Sequence, residues 1–411
     1  MSRIDELIAE LCPDGVTHAA LREIGVVVGG LTGKTKVDFS GGNARFVSYR
    51  NVYNNLVVDQ AADDFVRVAA GEHQVELRQG DVLFTGSSET PEDVGMSSVV
   101  LEPPQEPLYL NSFCFCFRPR DSALLLPGYS KYIFRSARVR SEIAKTASGV
   151  TRFNISRKRF GEVRIPVPPL EVQREIVRIL DLFTSLEAEL ESELEARRRQ
   201  YAHFRDSLLT FPEGGVRWAK LGEIAEFTYG YTATAQDEGE YRLLRITDIS
   251  PSGKLLANGG RRVAASAAAD AFVVRAGDLL MARTGATYAK TMLVGSDEPS
   301  VYASFLIRIR FPAGDLLPSF YWHFAQCDAY WTQADAMVST GGQPQFNANV
   351  LRLVRVPVPP LDEQARIVAI LDKFDALVHD LSVGLPAELA ARRKQYDHYR
   401  DRLLTFEEAV A

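Results

Sequence analysis

The chain is poor in the residues that build disulfide scaffolds and metal centres. Four cysteines occur in 411 residues: Cys12, Cys114, Cys116 and Cys327. Cys114 and Cys116 alternate with Phe113, Phe115 and Phe117, a period of two that reads as a strand carrying buried apolar thiols. A single Cys-x-Cys with no second pair holds too few ligands for a zinc site. No apolar run approaches the roughly 20 residues that a membrane helix needs. Acidic residues at Asp5 and Glu6 stand where a signal peptide would be apolar, so the expected setting is cytoplasmic. Positive charge is not in excess either, since the formal net charge is −6.

Motifs for catalysis are missing as well. There is no Gly-x-Gly-x-x-Gly loop and no Asn/Asp-Pro-Pro-aromatic motif of a methyltransferase; Glu102-Pro-Pro-Gln105 lacks both ends of the latter. No carboxylate cluster ending in lysine marks a nuclease. Gly29-Gly-Leu-Thr-Gly-Lys-Thr35 resembles a phosphate-binding loop, but the position that should hold its first glycine is Val28. His203 and His398 occupy equivalent helical positions without further ligands, which favours packing or a partner contact. No cofactor or metal is expected on this chain, and an enzyme is not expected.

What the chain does have is a repeat. Arg164-Ile-Pro-Val-Pro-Pro-Leu170 and the following residues to Asp181 recur as Arg355-Val-Pro-Val-Pro-Pro-Leu361 onward to Asp372, at an offset of 191. Arg199-Gln-Tyr201 through Thr210-Phe211 recurs as Lys394-Gln-Tyr396 through Thr405-Phe406, at an offset of 195. Fainter matches keep the same order: Gly80-Asp81 with Gly277-Asp278, Ser112-Phe113 with Ser304-Phe305, Leu125-Leu-Pro127 with Leu316-Leu-Pro318, and Phe153-Asn154 with Phe346-Asn347. The chain is therefore a duplication. The expected organisation is a first variable domain (1–163), a helical block (164–211), a second variable domain (212–354) and a second helical block (355–411).

Each block reads as a long helix entered through Pro-Pro. Ile176, Leu180, Phe183, Leu186, Leu190, Leu194, Tyr201 and Leu208 recur at three- and four-residue spacings, one apolar stripe over roughly 40 residues, or about 60 Å. Two equivalent helices are natural mutual partners and are expected to run antiparallel, as a coiled coil relating two halves by a pseudo-two-fold. Gln173, Gln364, Ile367, Leu371, Phe374 and Tyr396 belong to the same helical set. Gly384 and Pro386 should kink or interrupt the second helix. The variable domains read as mixed α/β, that is α+β, with strands at Phe113–Phe117, at Phe305, Ile307 and Ile309, and after each Gly-Asp turn. The aromatics of Tyr132-Ile-Phe134 and Phe320-Tyr-Trp322 are expected in the core.

The doubled Pro-Leu-x-x-Gln-x-x-Ile block, leading into a helix that ends Arg-Asp-x-Leu-Leu-Thr-Phe, resembles the specificity subunits of type I restriction-modification systems. Glu10-Leu-Cys-Pro-Asp-Gly-Val16 and Gly30-Leu-Thr-Gly-Lys-Thr-Lys-Val-Asp-Phe39 add to the resemblance. It implies two target-recognition domains, each reading half of a bipartite DNA site. It also implies helices that set the spacer and dock adenine methyltransferase subunits using S-adenosylmethionine, with a further restriction subunit driven by ATP and Mg. Related subunits vary their spacer through tetrapeptide repeats, and Glu187-Ala-Glu-Leu190 with Glu191-Ser-Glu-Leu194 is such a tandem.

Between Arg118 and Phe160 the chain holds eleven basic residues and only Asp121 and Glu142 as acids. This run is either a local phosphate-attracting field or a solvated helical face. Base readers should be polar side chains on loops. The candidates are Arg50, Asn51, Ser87, Ser88, Arg152 and Asn154 in the first domain, and Asp248, Arg283, Thr284, Gln343, Gln345 and Asn347 in the second. Lys34 with Thr35, Lys158 and Lys290 are candidate phosphate contacts. Two rival functions stay open: a single-chain methyltransferase or nuclease with a divergent site, and a coiled-coil adaptor.

Overall fold

A computed structural model describes residues 3–121, 123–212, 214–256, 260–296, 298–339, 343–379 and 384–409. The chain divides into two compact units, one built from Met1–Glu189 and Ala391–Ala411, the other from Leu190–Ala390.

In the first unit a four-stranded antiparallel sheet runs in the order Gly25–Gly29, Cys114–Pro119, Val82–Thr85, Ser97–Val99. A second sheet orders Phe65–Val66, Ala44–Val47 and Leu108–Leu110, the last two parallel. The second unit repeats both. Its antiparallel sheet runs Glu226–Tyr229, Leu306–Arg310, Leu279–Ala282, Thr291–Leu293. Its other sheet runs Arg261–Val263, Tyr241–Leu244, Ser300–Tyr302, Val273–Val274, again with one parallel pair, here between the two middle strands. The mixed α/β character expected from the sequence is thus present twice, with four strands in each antiparallel sheet and three against four in the mixed ones.

The repeated Gly-Asp signals explain how the central strands begin. Gly80 and Gly277 take φ of +86° and +90°, a left-handed turn that a side chain would strain. Asp81 and Asp278 then accept the Arg78 and Arg275 amides at 2.8 and 3.0 Å, closing each turn. Asp81 also takes a two-toothed grip from Arg118 on the neighbouring strand, both contacts at 2.7 Å. Behind the sheet, Pro127 and Pro318 occupy the first turn of the helices Pro127–Ile133 and Pro318–Phe324. Tyr132, Phe134, Phe320, Tyr321 and Trp322 are buried there, as core rather than surface.

The central helix spans Leu170–Leu209 without a break, 40 residues as the stripe implied. Its stripe has more than one kind of partner. Ile176 and Leu180 are buried in the core of the first domain, while Leu194 and Tyr201 are buried in the core of the second unit. Phe183 stacks on Tyr399 at 5.5 Å and meets Tyr396 at 6.4 Å, and Glu187 pairs with Arg393 at 2.6 Å. In the second unit Phe204 stacks on Phe374 at 5.6 Å, Tyr201 meets His379 at 5.6 Å, and Leu190 and Leu371 lie in the same cluster. In both units one helix number rises as the other falls, so the paired helices are antiparallel. The second helical block is two helices, Leu361–His379 and Gly384–Leu403, with Gly384 at a φ of +69°. The interruption expected at the Gly and Pro is therefore present.

Candidate nucleic-acid interface

A buried glutamine fastens each domain to its helix. Gln173 accepts the Leu126 amide at 2.9 Å and donates to the carbonyls of Leu124 and Pro168 at 2.9 and 2.8 Å. Gln364 accepts the Leu317 amide at 2.8 Å and donates to Asp315 and Pro359 at 2.9 and 2.8 Å. Both side chains are fully enclosed. A second pin lies beside each. Tyr132 donates to Asp181 at 2.5 Å, and at the equivalent place His323 meets Asp372 at 2.8 Å while its other ring nitrogen faces the Tyr201 hydroxyl at 3.3 Å. Gln173 and Gln364 thus hold backbone, and Ile367 is buried in the core of the second unit.

With the helices engaged below, the opposite end of each antiparallel sheet carries the polar candidates. In the first unit Ser87–Ser88 pairs with Phe153–Ile155, which pairs with Ala147–Ser148. In the second, Gln345 bridges both Thr284 and Ser339. This ladder aligns Asn154 with Gln345 and Ser156 with Asn347. It corrects the sequence pairing of Phe153-Asn154 with Phe346-Asn347, which slips by two residues. The helix caps agree: Ser156 accepts the Arg159 amide at 3.4 Å, and Asn347 accepts the amides of Asn349 and Val350 at 2.9 and 3.2 Å.

Several candidates prove to be internal structure. Asn51 is 6% exposed and satisfies both ends of its amide on Asp59 and Asn55. Asp248 is 5% exposed and locked to Arg245 through both carboxylate oxygens. Lys34 is held by Glu72 at 2.5 Å and by the Arg67 carbonyl, and that hydrogen bond draws the Glu72 carboxyl down to about 2. Thr35 donates to Asp38 at 2.8 Å as part of a turn cap. Asn347 is a cap, and Thr284 is buried with its hydroxyl on the Pro344 carbonyl at 3.2 Å. Asn51, Asp248, Lys34 and Thr284 are thus engaged inside the fold, and Thr35 and Asn347 serve first as caps.

Most members of the basic run are also bonded within the fold. Arg135 is half-buried, donates to four carbonyls, and desolvation pulls its pKa down to about 10. Arg118, Lys131, Arg140 and Lys145 bond to Asp81, Asp181, two loop carbonyls and Glu142. Arg120, Arg138 and Arg159 bond to carbonyls of Glu23, Phe406 and Lys145. Among the described residues, Arg157 and Lys158 are the two members of the run left exposed with neither an ion pair nor a side-chain hydrogen bond. The local positive field is accordingly smaller than the count of charges implies. The thiols read as buried are buried, and desolvation pushes Cys114 up to about 12. Among the described residues no cluster of metal-ligating groups occurs, and no helix is long and apolar enough to cross a membrane.

What remains at the sheet ends is a compact polar set. Arg152 donates to the Ser87 hydroxyl from Nε and Nη2 at 3.3 and 3.1 Å, and its guanidinium lies 5.5 Å over the Phe113 ring. Tyr49, Tyr53, Ser88 and Asp93 line the same cleft, of about 450 Å³. Asn154 is exposed beside it and Arg50 is exposed on the helix Tyr49–Asn54. In the second unit Gln345 donates to the Thr284 hydroxyl at 2.9 Å. Arg283 lies 5.2 Å over Phe305 and 5.5 Å over Tyr229. Gln343 is exposed and Lys290 half-buried without a partner among the described residues. Sequence reasoning placed Phe113 and Phe305 in strands and missed them as surface rings. The repeated Ser-Phe pair was the available signal.

The family model described as "Type I restriction modification DNA specificity domain" matches residues 13–196 and again 216–391. The chain is 32% identical over 262 residues to the type I restriction enzyme EcoR124I/EcoR124II specificity subunit of Escherichia coli, an alignment covering 60% of this chain and 64% of that one. It is 30% identical over 278 residues to a putative type I restriction enzyme specificity subunit of Haemophilus influenzae, covering 63% and 68%. Among solved structures, a chain from a study of complex assembly and conformational transition of the type I R-M system superposes with a TM-score of 0.62 at 18% identity, covering 95% of this chain and 98% of that one. The doubled sheet, the doubled glutamine clamp and the doubled family match lead to one conclusion: the chain belongs to the family of type I restriction-modification DNA specificity domains.

Proposed function

We propose that this chain is the DNA-reading subunit of a cytoplasmic type I restriction-modification complex and performs no chemistry itself. One observation carries the reading. The two units build the same sheet end on the same clamp but furnish it differently, with Arg152 and Asn154 in one, on the ladder of Ser87, and Arg283 and Gln345 in the other, on the ladder of Thr284. A common scaffold with two different polar faces is what an asymmetric bipartite site requires. In this reading the long helices set the unread spacer. Their exposed Leu182 and Leu377 serve methyltransferase subunits carrying S-adenosylmethionine, with ATP and Mg on a restriction subunit.

Co-production with its modification partner should give methylated adenines in one bipartite motif genome-wide. The purified chain alone should transfer no radiolabelled methyl group. Methyl transfer by the chain alone would make it an enzyme instead.

Lys158 stands in this reading as a phosphate contact. Lys158→Ala should weaken binding by the complex about equally on all sequences and lower its salt slope by roughly one unit. An altered motif with an unaltered slope would assign it to a base.

A further inference from the structure

Exposed phenylalanine rings at a domain end need a reason. Phe113 is 58% exposed and Phe305 is 50% exposed. They are equivalent residues, each one position before the last long strand of its antiparallel sheet, Cys114–Pro119 and Leu306–Arg310. Each ring is covered by a guanidinium, Arg152 at 5.5 Å and Arg283 at 5.2 Å. The two arginines do not come from equivalent positions. Arg152 lies in the turn before the strand Phe153–Ile155, opposite Gln343 in the second unit. Arg283 follows the strand Leu279–Ala282, at the place that Gly86 fills in the first unit. Gly86 has no room for a side chain, since a Cβ there would stand 2.7 Å from the Phe113 carbonyl. The same pairing is therefore reached by two routes.

The hydrogen bonds settle which edge each arginine offers. Arg152 uses Nε and Nη2 on the Ser87 hydroxyl, along one side of the guanidinium. Arg283 uses Nε on the Ser304 carbonyl at 3.1 Å. Both leave the terminal pair of N–H groups, on Nη1 and Nη2, pointing away from those bonds. A ring below and a pinned Nε fix the plane of the fork before any ligand arrives. A planar pair of donors with fixed spacing matches two adjacent acceptors, and O6 and N7 of guanine are that pair in the major groove.

Resting on the DNA-reading function above, we propose that Arg152 and Arg283 each read a guanine, one in each half of the bipartite site, from a guanidinium mounted on Phe113 and on Phe305. Phe113 and Phe305 are positioning residues in this device. Asn154 and Gln345 lie at equivalent places on the ladders of the two units and can add contacts to adjacent bases.

The test is motif mapping with the complete complex bearing Arg152→Gln, Arg152→Lys or Arg283→Lys. Arg152→Gln should abolish the preference for guanine at one position of one half-site, a loss of discrimination of roughly 5- to 150-fold. Arg283→Lys should do the same in the other half-site only. Arg152→Lys keeps the charge but not the fork, so it should relax the same base as Arg152→Gln while leaving the salt slope unchanged. Phe113→Leu should relax that base too, by a smaller factor. Unchanged motifs together with a salt slope lowered by roughly one unit in Arg152→Gln and restored in Arg152→Lys would make the arginines phosphate contacts and overturn the assignment. A preference that shifts at a base other than guanine would overturn it as well. The untouched half-site reports in every case that the variant complex is folded and active. Replacement of the whole second domain, described below, tests the reading itself. If that exchange moves half of the motif while the arginine variants move nothing, the assignment alone has failed.

Discussion

Replacing residues 221–350 with the matching stretch of a relative that has a different target should exchange one half of the methylated motif completely and leave the other half intact. The boundaries follow the hydrogen bonds. Arg217–Lys220 pairs with Arg355–Val358, so a cut after Lys220 keeps both strands of that ladder in the host. The clamp tolerates foreign sequence because Gln364 holds only backbone: the Leu317 amide and the carbonyls of Asp315 and Pro359. Any domain with the same turn before its helix presents those groups. The second pin does depend on a side chain, His323 against Asp372. A graft should therefore keep histidine there, or the tyrosine that Tyr132 provides in the first unit. Methylation mapping of the complex decides. Simultaneous change of both halves would mean that the units do not read separately.

The second large effect is expected from the clamp. Gln364→Leu retains bulk but leaves the Leu317 amide and two carbonyls without partners in a fully enclosed place. An unpaired buried donor or acceptor costs about 1–3 kcal/mol each, and relaxation shares part of the loss, so about 2–5 kcal/mol of stability should disappear. Loss of hydrogen-exchange protection should centre on the helix Pro318–Phe324 and its preceding turn. Gln173→Leu should act in the same way on the helix Pro127–Ile133. A stability change below about 0.5 kcal/mol in both variants, by denaturant titration, would remove the clamp as a main fastening. Activity lost without any loss of protection would give the glutamines a role in assembly instead.

The large-scale order of this chain is readable from residue spacing alone, because repeats and helical stripes are local properties. The 40-residue helix, the break at Gly384 and the Gly-Asp turns all follow from neighbours in sequence. The site is less readable, because a polar side chain's availability depends on residues far away in sequence. Arg135 counts as a free surface charge until four carbonyls from two other segments, 52–55 and Ser97, surround it. Asn51 lies in the short helix Tyr49–Asn54 and Asp248 ends the one-turn helix Ile246–Asp248; short polar residues of this type close turns as readily as they meet ligands. The two-residue slip at Asn347 has the same origin: Phe-Asn occurs in both halves by composition, whereas the register is set by Ser87 and Thr284 across the ladder.

The two units differ in how the chain supplies them. The second is one continuous stretch, Leu190–Ala390, whereas the first needs Met1–Glu189 together with Ala391–Ala411. Phe183 waits for Tyr396 and Tyr399, Glu187 for Arg393, and Val16 for the hydrogen bonds that tie it to Glu407 and Ala409. During synthesis the domain that leaves the ribosome first is therefore the last to be completed. For the interval in which about 200 further residues are made, at 5–20 residues per second, its helix face is bare, and it is then a client for chaperones in a way that the second unit is not.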